Sequence, residues 1–222
     1  MLSILYYPPP RKQKLNHEKT IGLNVFPWFY KRLGYSWDFN LYSDRNPYDP
    51  SVKLSTHDQT KIAQQYVDLV RYIAQTYIDL GFYISHIPFA LEDDLFAKSC
   101  LSDLPIKFYK FTNNPYQVFD NLQSLEGFIP TRLHAHIFSA IARIPFFSIS
   151  YGAKTKNILR LLQVPRSSSV DYNLLLEIHN FSQDLELPKP PNFVCKEKHL
   201  LSLSTESKVA IEKCLLRLAN AD

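Results

Sequence analysis

Residues 127–165 read "GFIPTRLHAHIFSAIARIPFFSISYGAKTKNILRLLQVP". Two short apolar runs, "GFIPT" (127–131) and "PFFSISY" (145–151), each lead into a segment of helical length, "RLHAHIFSAIARI" (132–144) and "KTKNILRLLQV" (154–164). Runs this short and this apolar suit strands buried on both faces. Strand, helix, strand, helix at crossover spacing predicts a parallel sheet with helices packed on it.

The same alternation extends upstream. "IKFYKFT" (106–112) reads as a strand, followed by "NPYQVFDNLQSLE" (114–126), in which Asn114 caps a helix and Pro115 takes its first position. "FYISHIPFA" (82–90) is a further strand, and "LEDDLFAKSCLSDL" a helix with Glu92, Asp93 and Asp94 in its first turn, where the helix dipole favours acids. From Thr56 onward, Ile62, Tyr66, Leu69, Val70, Ile73, Tyr77 and Leu80 recur every three or four residues up to Gly81, which predicts a long amphipathic helix with a glycine stop. "TIGLNVF" (20–26), closed by Pro27, is the opening strand. The pattern predicts a three-layer α/β/α Rossmann-like parallel sheet over 20–165. An irregular, basic and Pro-rich arm (1–19) precedes it, and a helical C-terminal extension (166–222) follows. The extension holds a Pro-rich linker, "ELPKPPNF" (186–193), and an amphipathic helix over 204–220. The aromatic and Asn/Asp-rich stretch 27–54 reads as a long loop, a class that tends to carry function.

Bulk properties narrow the function classes. The chain has 222 residues with 25 Lys and Arg against 21 Asp and Glu, a formal charge of +4. That is well short of a nucleic-acid footprint. Cys100, Cys195 and Cys214 share no metal-ligand spacing and read as reduced structural thiols. The opening "MLSILYYPPPRKQK" lacks the layout of a signal peptide, and no apolar run approaches the ~20 residues a membrane span needs. These features predict a cytoplasmic protein.

In open parallel sheets, ligands bind beyond the carboxyl ends of the strands, where the next helices begin. Thr131, Arg132, Leu133 and His134 fall there. Free N–H groups at a helix start and the fork of an arginine suit a small, multiply charged acid. At ~100° per residue, Arg132, His136, Ser139 and Arg143 share one stripe, expected to face solvent. Leu133, Ile137, Ala140, Ile141 and Ile144 share the core-facing stripe. On this wheel His134 lies on the core side in the first turn, pointing toward a ligand, and His136 faces out. His86, in mid-strand, reads as a core histidine.

"PTRLHAHIFSAIARIPFFSISYGAKTKNIL" resembles the polysaccharide pyruvyl transferases. The likeness rests on Arg132-Leu133-His134 opening a helix after a strand, Ile144-Pro145 at a turn, a strand ending in Ser150-Tyr151, and Lys154. "HIPFALEDD" (86–94) and "IGLNVFPW" (21–28) resemble other parts of the same family, so the likeness spans about 20–165. It implies the C-terminal half of a two-domain GT-B-type fold, as a truncated version lacking the first domain. The opening strand of that half often ends in a donor-binding arginine, whose place here falls at Phe26; Lys31 and Arg32 in the following loop are the possible substitutes.

The resemblance implies transfer of a pyruvyl group from phosphoenolpyruvate, as a ketal, to a glycan or lipid-linked sugar of a cell-surface or exopolysaccharide. His134 would be the acid, with Arg132, Leu133, Tyr151 and Lys154 binding substrate and no metal or cofactor needed. A homodimer or a partner chain would supply the missing domain. Glu92–Asp94 read as helix-start charges, with a role as base for the sugar hydroxyl as the alternative. Two other readings stand beside this one: a non-catalytic anion-binding remnant of the family, and half of a GT-B-like glycosyltransferase. The second lacks a Gly-rich phosphate loop.

Overall fold

The computed structural model describes residues 19–27, 56–171, 177 and 181–206. The arm 1–18, the loop 28–55 with Lys31 and Arg32, Cys214 and all but the start of the helix expected over 204–220 lie outside the described residues. Strand β1 (Thr20–Leu23) is followed by helix α1 (Thr56–Asp79), β2 (Tyr83–His86), α2 (Leu91–Leu101), β3 (Ile106–Phe108), α3 (Pro115–Gln123) and β4 (Gly127–Ile129). Next come α4 (Leu133–Ala142), β5 (Ser148–Ser150), α5 (Ala153–Leu161), β6 (Ser169–Asp171) and a short α6 (Phe181–Asp184). The capping signals hold: Asn114 Oδ1 accepts the Tyr116 N–H with Pro115 in the first turn of α3, and Gly81, just past α1, has φ +81°.

Every strand pair is parallel, and the hydrogen-bonded order is β3-β2-β1-β4, with β5 beside β6. The two groups join. Phe147 donates to the Phe128 carbonyl (3.0 Å) and Ile149 to the Pro130 carbonyl (3.0 Å), so the chain entering β5 runs alongside β4. The resulting order, 3-2-1-4-5-6, is that of a doubly wound Rossmann-like sheet. Strand alternation sorts the core into two layers. Ile21, Leu23, Ile84, Ile129, Phe147 and Ile149 pack with α1 and α2, while Phe128 and Phe146 pack with α3, α4 and α5 on the opposite face. The expected three-layer α/β/α architecture is the one observed.

The strands are shorter than the apolar runs that announced them, because each run also supplies the loop beyond its strand. β1 ends at Leu23, and Asn24, Val25 and Phe26 already belong to the site described below. The sheet also continues past residue 165: β6 lies in the stretch read as the start of the extension and pairs with β5. The Pro-rich stretch 186–193 is a packed strap rather than a linker. Tyr77 Oη donates to the Pro188 carbonyl (2.6 Å), and Phe146 donates to the Phe193 carbonyl (2.9 Å), with the two rings edge to face at 5.1 Å.

Gly22 lies on the α3 and α4 face of β1, in the centre of the sheet. A Cβ there would fall 2.5 Å from Leu125 Cδ1 and 2.7 Å from Phe128 Cδ2, both fully packed. Gly22→Ala is therefore expected to destabilise the protein by about 1–3 kcal/mol through overpacking. A urea midpoint that falls with an unchanged slope would report it.

Candidate functional site

In a sheet of this order the crossovers change face between β1 and β4, and the crevice beyond their carboxyl ends is where such folds take ligands. Asn24 follows β1 and Arg132 follows β4, so these two residues face each other across that point. Asn24 is buried and spans it: its Oδ1 accepts the Arg132 N–H (2.9 Å), while its Nδ2 donates to the Ile87 carbonyl (3.3 Å) and to Asp93 Oδ2 (3.2 Å). Beneath it, Tyr66 of α1 accepts the Phe26 N–H (2.9 Å) and donates to Thr131 Oγ1 (3.4 Å), tying both strand ends to one helix. Burial pushes the Tyr66 phenol well above its ordinary range, so it stays a neutral donor.

Arg132 is the N-cap residue of α4, and its side chain is enclosed on several sides. Nε donates to both oxygens of Asp93 (2.8 Å each), and Nη2 pairs with Glu92. One flat face of the guanidinium lies 3.9 Å from the centroid of the Phe26 ring, a cation–π contact. The carboxylates thus occupy the edge formed by Nε and Nη2. The remaining edge, Nη1 with the second Nη2 hydrogen, has no hydrogen-bond partner among the described residues. It is a two-pronged donor of the kind that binds carboxylate or phosphate. Asp93 is fully buried; burial raises its carboxyl above the usual range, against the pull of Arg132 and of the Phe89 and Asn24 donors.

The two histidines of α4 exchange the places expected for them. His134 is exposed and His136 is 0% exposed, as is Ser139 on the same stripe; of that stripe Arg143 is exposed and Arg132 partly so. The helical wheel presumed one wet face, but α4 is enclosed by the sheet and by α3 and α5, and Ala135, Phe138, Ala140, Ile141 and Ala142 are buried with it. A helix apolar nearly all round is a buried one. His136 meets the cost of burial with two bonds. Nδ1 lies 2.7 Å from the Arg132 carbonyl, which can only accept, so Nδ1 carries the proton and Nε2 accepts from Ser148 Oγ (2.6 Å). Burial holds this imidazole neutral, its pKa lowered to about 4.

His134 stands in the first turn of α4. Partial burial and the adjacent Arg132 lower its pKa below the ordinary 6.5. His86 is a core histidine, as expected: Nε2 takes the Val25 N–H (3.4 Å), Nδ1 is buried with no hydrogen-bond partner among the described residues, and its pKa falls to about 4.

Of the other residues picked out by sequence, Tyr151 is buried beyond β5, its ring edge to face with Phe26 at 5.2 Å. Phe26 therefore links Tyr151 and Arg132. Leu133 is half-buried and Lys154 is exposed on the first turn of α5. Thr155 Oγ1 takes the Tyr151 and Gly152 N–H groups (3.2 Å each) and fixes the turn between β5 and α5. Arg132, Phe26 and Tyr151 are thus brought into contact, with His134 one helical position from Leu133. Glu92 and Asp93 are more than helix-start charges: Asp93 Oδ2 does accept the Phe89 N–H near the start of α2 (3.0 Å), yet both acids also hold Arg132. Among the described residues no cluster of three His, Cys, Asp or Glu side chains is arranged to hold a metal ion, and no helix is long and apolar enough to cross a membrane. Cys100 and Cys195 are unpaired thiols.

Sequence reasoning missed Asn24, Tyr66 and Ser148. Asn24 alone carried a signal, a polar amide interrupting the apolar run "IGLNVF" at the carboxyl end of a strand. A family model described as polysaccharide pyruvyl transferase matches residues 4–153, which include Asn24, Phe26, Tyr66, Glu92, Asp93, Arg132, His134 and Tyr151 and stop one residue short of Lys154. No curated protein and no solved structure matches the chain.

Proposed function

Since the chain belongs to the polysaccharide pyruvyl transferase family, we propose that it moves the pyruvyl group of phosphoenolpyruvate onto two hydroxyls of a surface-polysaccharide or lipid-linked sugar. The observation that carries this reading is Arg132 at the start of α4, held by Asp93 and Glu92 along one edge of its guanidinium at the point where the sheet changes winding. The opposite edge binds the donor's carboxylate or its phosphate, with the Leu133 and His134 N–H groups of the first helical turn behind it. Lys154, at the parallel start of α5, takes the other anionic group, and Tyr151 packs beside Phe26 against the donor's apolar side.

His134 in its imidazolium form gives a proton to the methylene carbon of the donor, leaving C2 with oxocarbenium character. A first sugar hydroxyl bonds to C2 and releases its proton to the neutral imidazole. The second hydroxyl then bonds to C2 as the C2–O bond to phosphate breaks. Its proton leaves on the phosphate, so a diol and phosphoenolpyruvate give a ketal and inorganic phosphate.

The charge environment makes a prediction about pH. In the free protein, Arg132 and partial burial disfavour the imidazolium of His134, whereas a bound trianion favours it. The limb of kcat/KM that falls with rising pH is expected below the ordinary imidazole value. The corresponding limb of kcat, which reports the loaded protein, is expected at higher pH. Coincident limbs, or limbs that survive His134→Asn, would remove His134 from the role of acid.

A non-catalytic, anion-binding remnant is the second reading. It is favoured by the aromatic ring at Phe26 and by the two carboxylates on Arg132, which leave the cluster with no surplus positive charge. Incubation with phosphoenolpyruvate and a panel of diol-bearing glycans separates the two. Phosphate release that depends on the glycan and is lost in His134→Asn supports transfer. Donor binding with no phosphate release under any glycan supports the remnant.

A further inference from the structure

We propose that Asp93 is the positioning residue of the donor site, holding one edge of Arg132 so that the other is presented to the ligand; this rests on the donor reading above. A guanidinium is rigid and planar, so fixing one edge and one face fixes the direction of the remaining edge. Both oxygens of Asp93 engage Nε at 2.8 Å, and the Phe26 ring supports the face at 3.9 Å. Asp93 is itself immobilised. Its Oδ2 accepts the Phe89 N–H (3.0 Å) and an Asn24 amide hydrogen (3.2 Å), and the same Asn24 takes the Arg132 backbone N–H (2.9 Å). Asn24, Asp93 and Arg132 therefore close a ring of bonds across the point where the sheet changes winding. Asn24 follows β1, Arg132 follows β4 and Asp93 stands in the first turn of α2, where it has no solvent exposure.

Glu92 has a different place. It pairs with Nη2 from the rim and has no bond to Nε. Together Glu92, Asp93 and Arg132 leave one net negative charge, so simple electrostatics states that removing either carboxylate tightens the binding of an anion. Positioning states the opposite for Asp93 and the same for Glu92. The sign of the effect, rather than its size, separates the two accounts, and a merely structural role for Asp93 does not generate it.

The test is calorimetric titration of phosphoenolpyruvate into the full chain, repeated with inorganic phosphate. Near-UV circular dichroism and a thermal melt check that each variant folds. Asp93→Asn, which keeps the shape and removes the charge, is expected to weaken donor binding about tenfold, the scale on which a misdirected clamp loses its ligand. Glu92→Gln is expected to bind as tightly as the parent or up to about threefold tighter. Asp93→Asn binding as well as or better than the parent overturns the proposal. Should Asp93→Asn fail to fold, Phe26→Leu reads the same quantity with no change of charge: weaker binding supports the proposal and unchanged binding overturns it. A parent protein that binds neither probe overturns the donor reading and this assignment with it. A parent that binds, with Asp93→Asn unaffected, overturns only the role of Asp93.

Discussion

Arg132→Ala is expected to abolish phosphoenolpyruvate binding and to destabilise the protein, and the two losses have separate causes. The first follows from removing the two-pronged donor edge that Asp93 and Glu92 leave open. The second follows from what stays behind: Asp93, fully buried, would keep its Phe89 and Asn24 donors but lose its counter-charge. Breaking a buried ion pair from one side costs about 3–5 kcal/mol, because a charge is stranded in a poor solvent. For a chain of this size that is a drop in melting temperature on the order of 10 °C. The causes separate in the double variant Arg132→Met with Asp93→Asn, which strands no charge at position 93. It is expected to recover part of the lost stability in a denaturant titration and none of the binding. Full stability in Arg132→Ala alone would mean that the pair with Asp93 does not form.

The second large effect is acid sensitivity. His136 and His86 are buried neutral, and burial brings the pKa of each to about 4 from the ordinary 6.5. Around His86 the charges of Asp94 and Lys98 oppose one another; around His136 the Arg132 carbonyl pulls weakly against burial. A lowered native pKa means that between pH 6.5 and 4 the unfolded chain binds a proton that the native chain does not. The stability is then complete above pH 6.5 and is lost as the pH falls toward 4. Each histidine contributes a slope of up to about 1.4 kcal/mol per pH unit, or about 3 kcal/mol over the window. Two together are comparable to the whole stability of many domains. Urea titrations at pH 7, 6, 5 and 4.5 measure the slope, and His136→Gln is expected to remove about half of it.

Much of the architecture is legible in the sequence because it depends on short-range pattern. The apolar runs around Ile21, Ile84, Phe128 and Ile149 mark strands, and the Asn114-Pro115 start and the Gly81 stop mark helix ends, each through bonds made within a few residues. What depends on three-dimensional enclosure is not legible in the same way. The helical wheel of α4 gives the angular spacing of His134 and His136 correctly but not which side is wet, since that is decided by α3 and α5 packing over it. The order of the strands also lies beyond local pattern, and with it the meeting of Asn24 and Arg132, 108 residues apart in the chain.

The candidate site divides along the same line. Arg132 could be singled out because a charged residue opens an apolar helix after a strand. Its carboxylate partners could not, because Asp93 lies 39 residues upstream and looks in sequence like any acid in the first turn of a helix. Tyr66 is harder still, since in sequence it is one more apolar position in the stripe of α1, and its hydroxyl matters only where β1 and β4 converge. The short Pro-rich segment near Pro188 misled for the opposite reason. Its composition is that of a linker, while Tyr77 and Phe146 supply bonds that make it part of the packed domain.

The claim at the centre of this account is that a donor's anionic groups settle on Arg132 beside His134. A proton NMR titration of the histidine ring protons reads this directly, with the His134 signal identified by its absence in His134→Asn. In the free protein its midpoint is predicted below the ordinary 6.5. At saturating phosphoenolpyruvate it is predicted to move upward, and in Arg132→Ala to ignore the ligand. A His134 midpoint that stays in place while the parent protein is saturated with phosphoenolpyruvate would contradict the account.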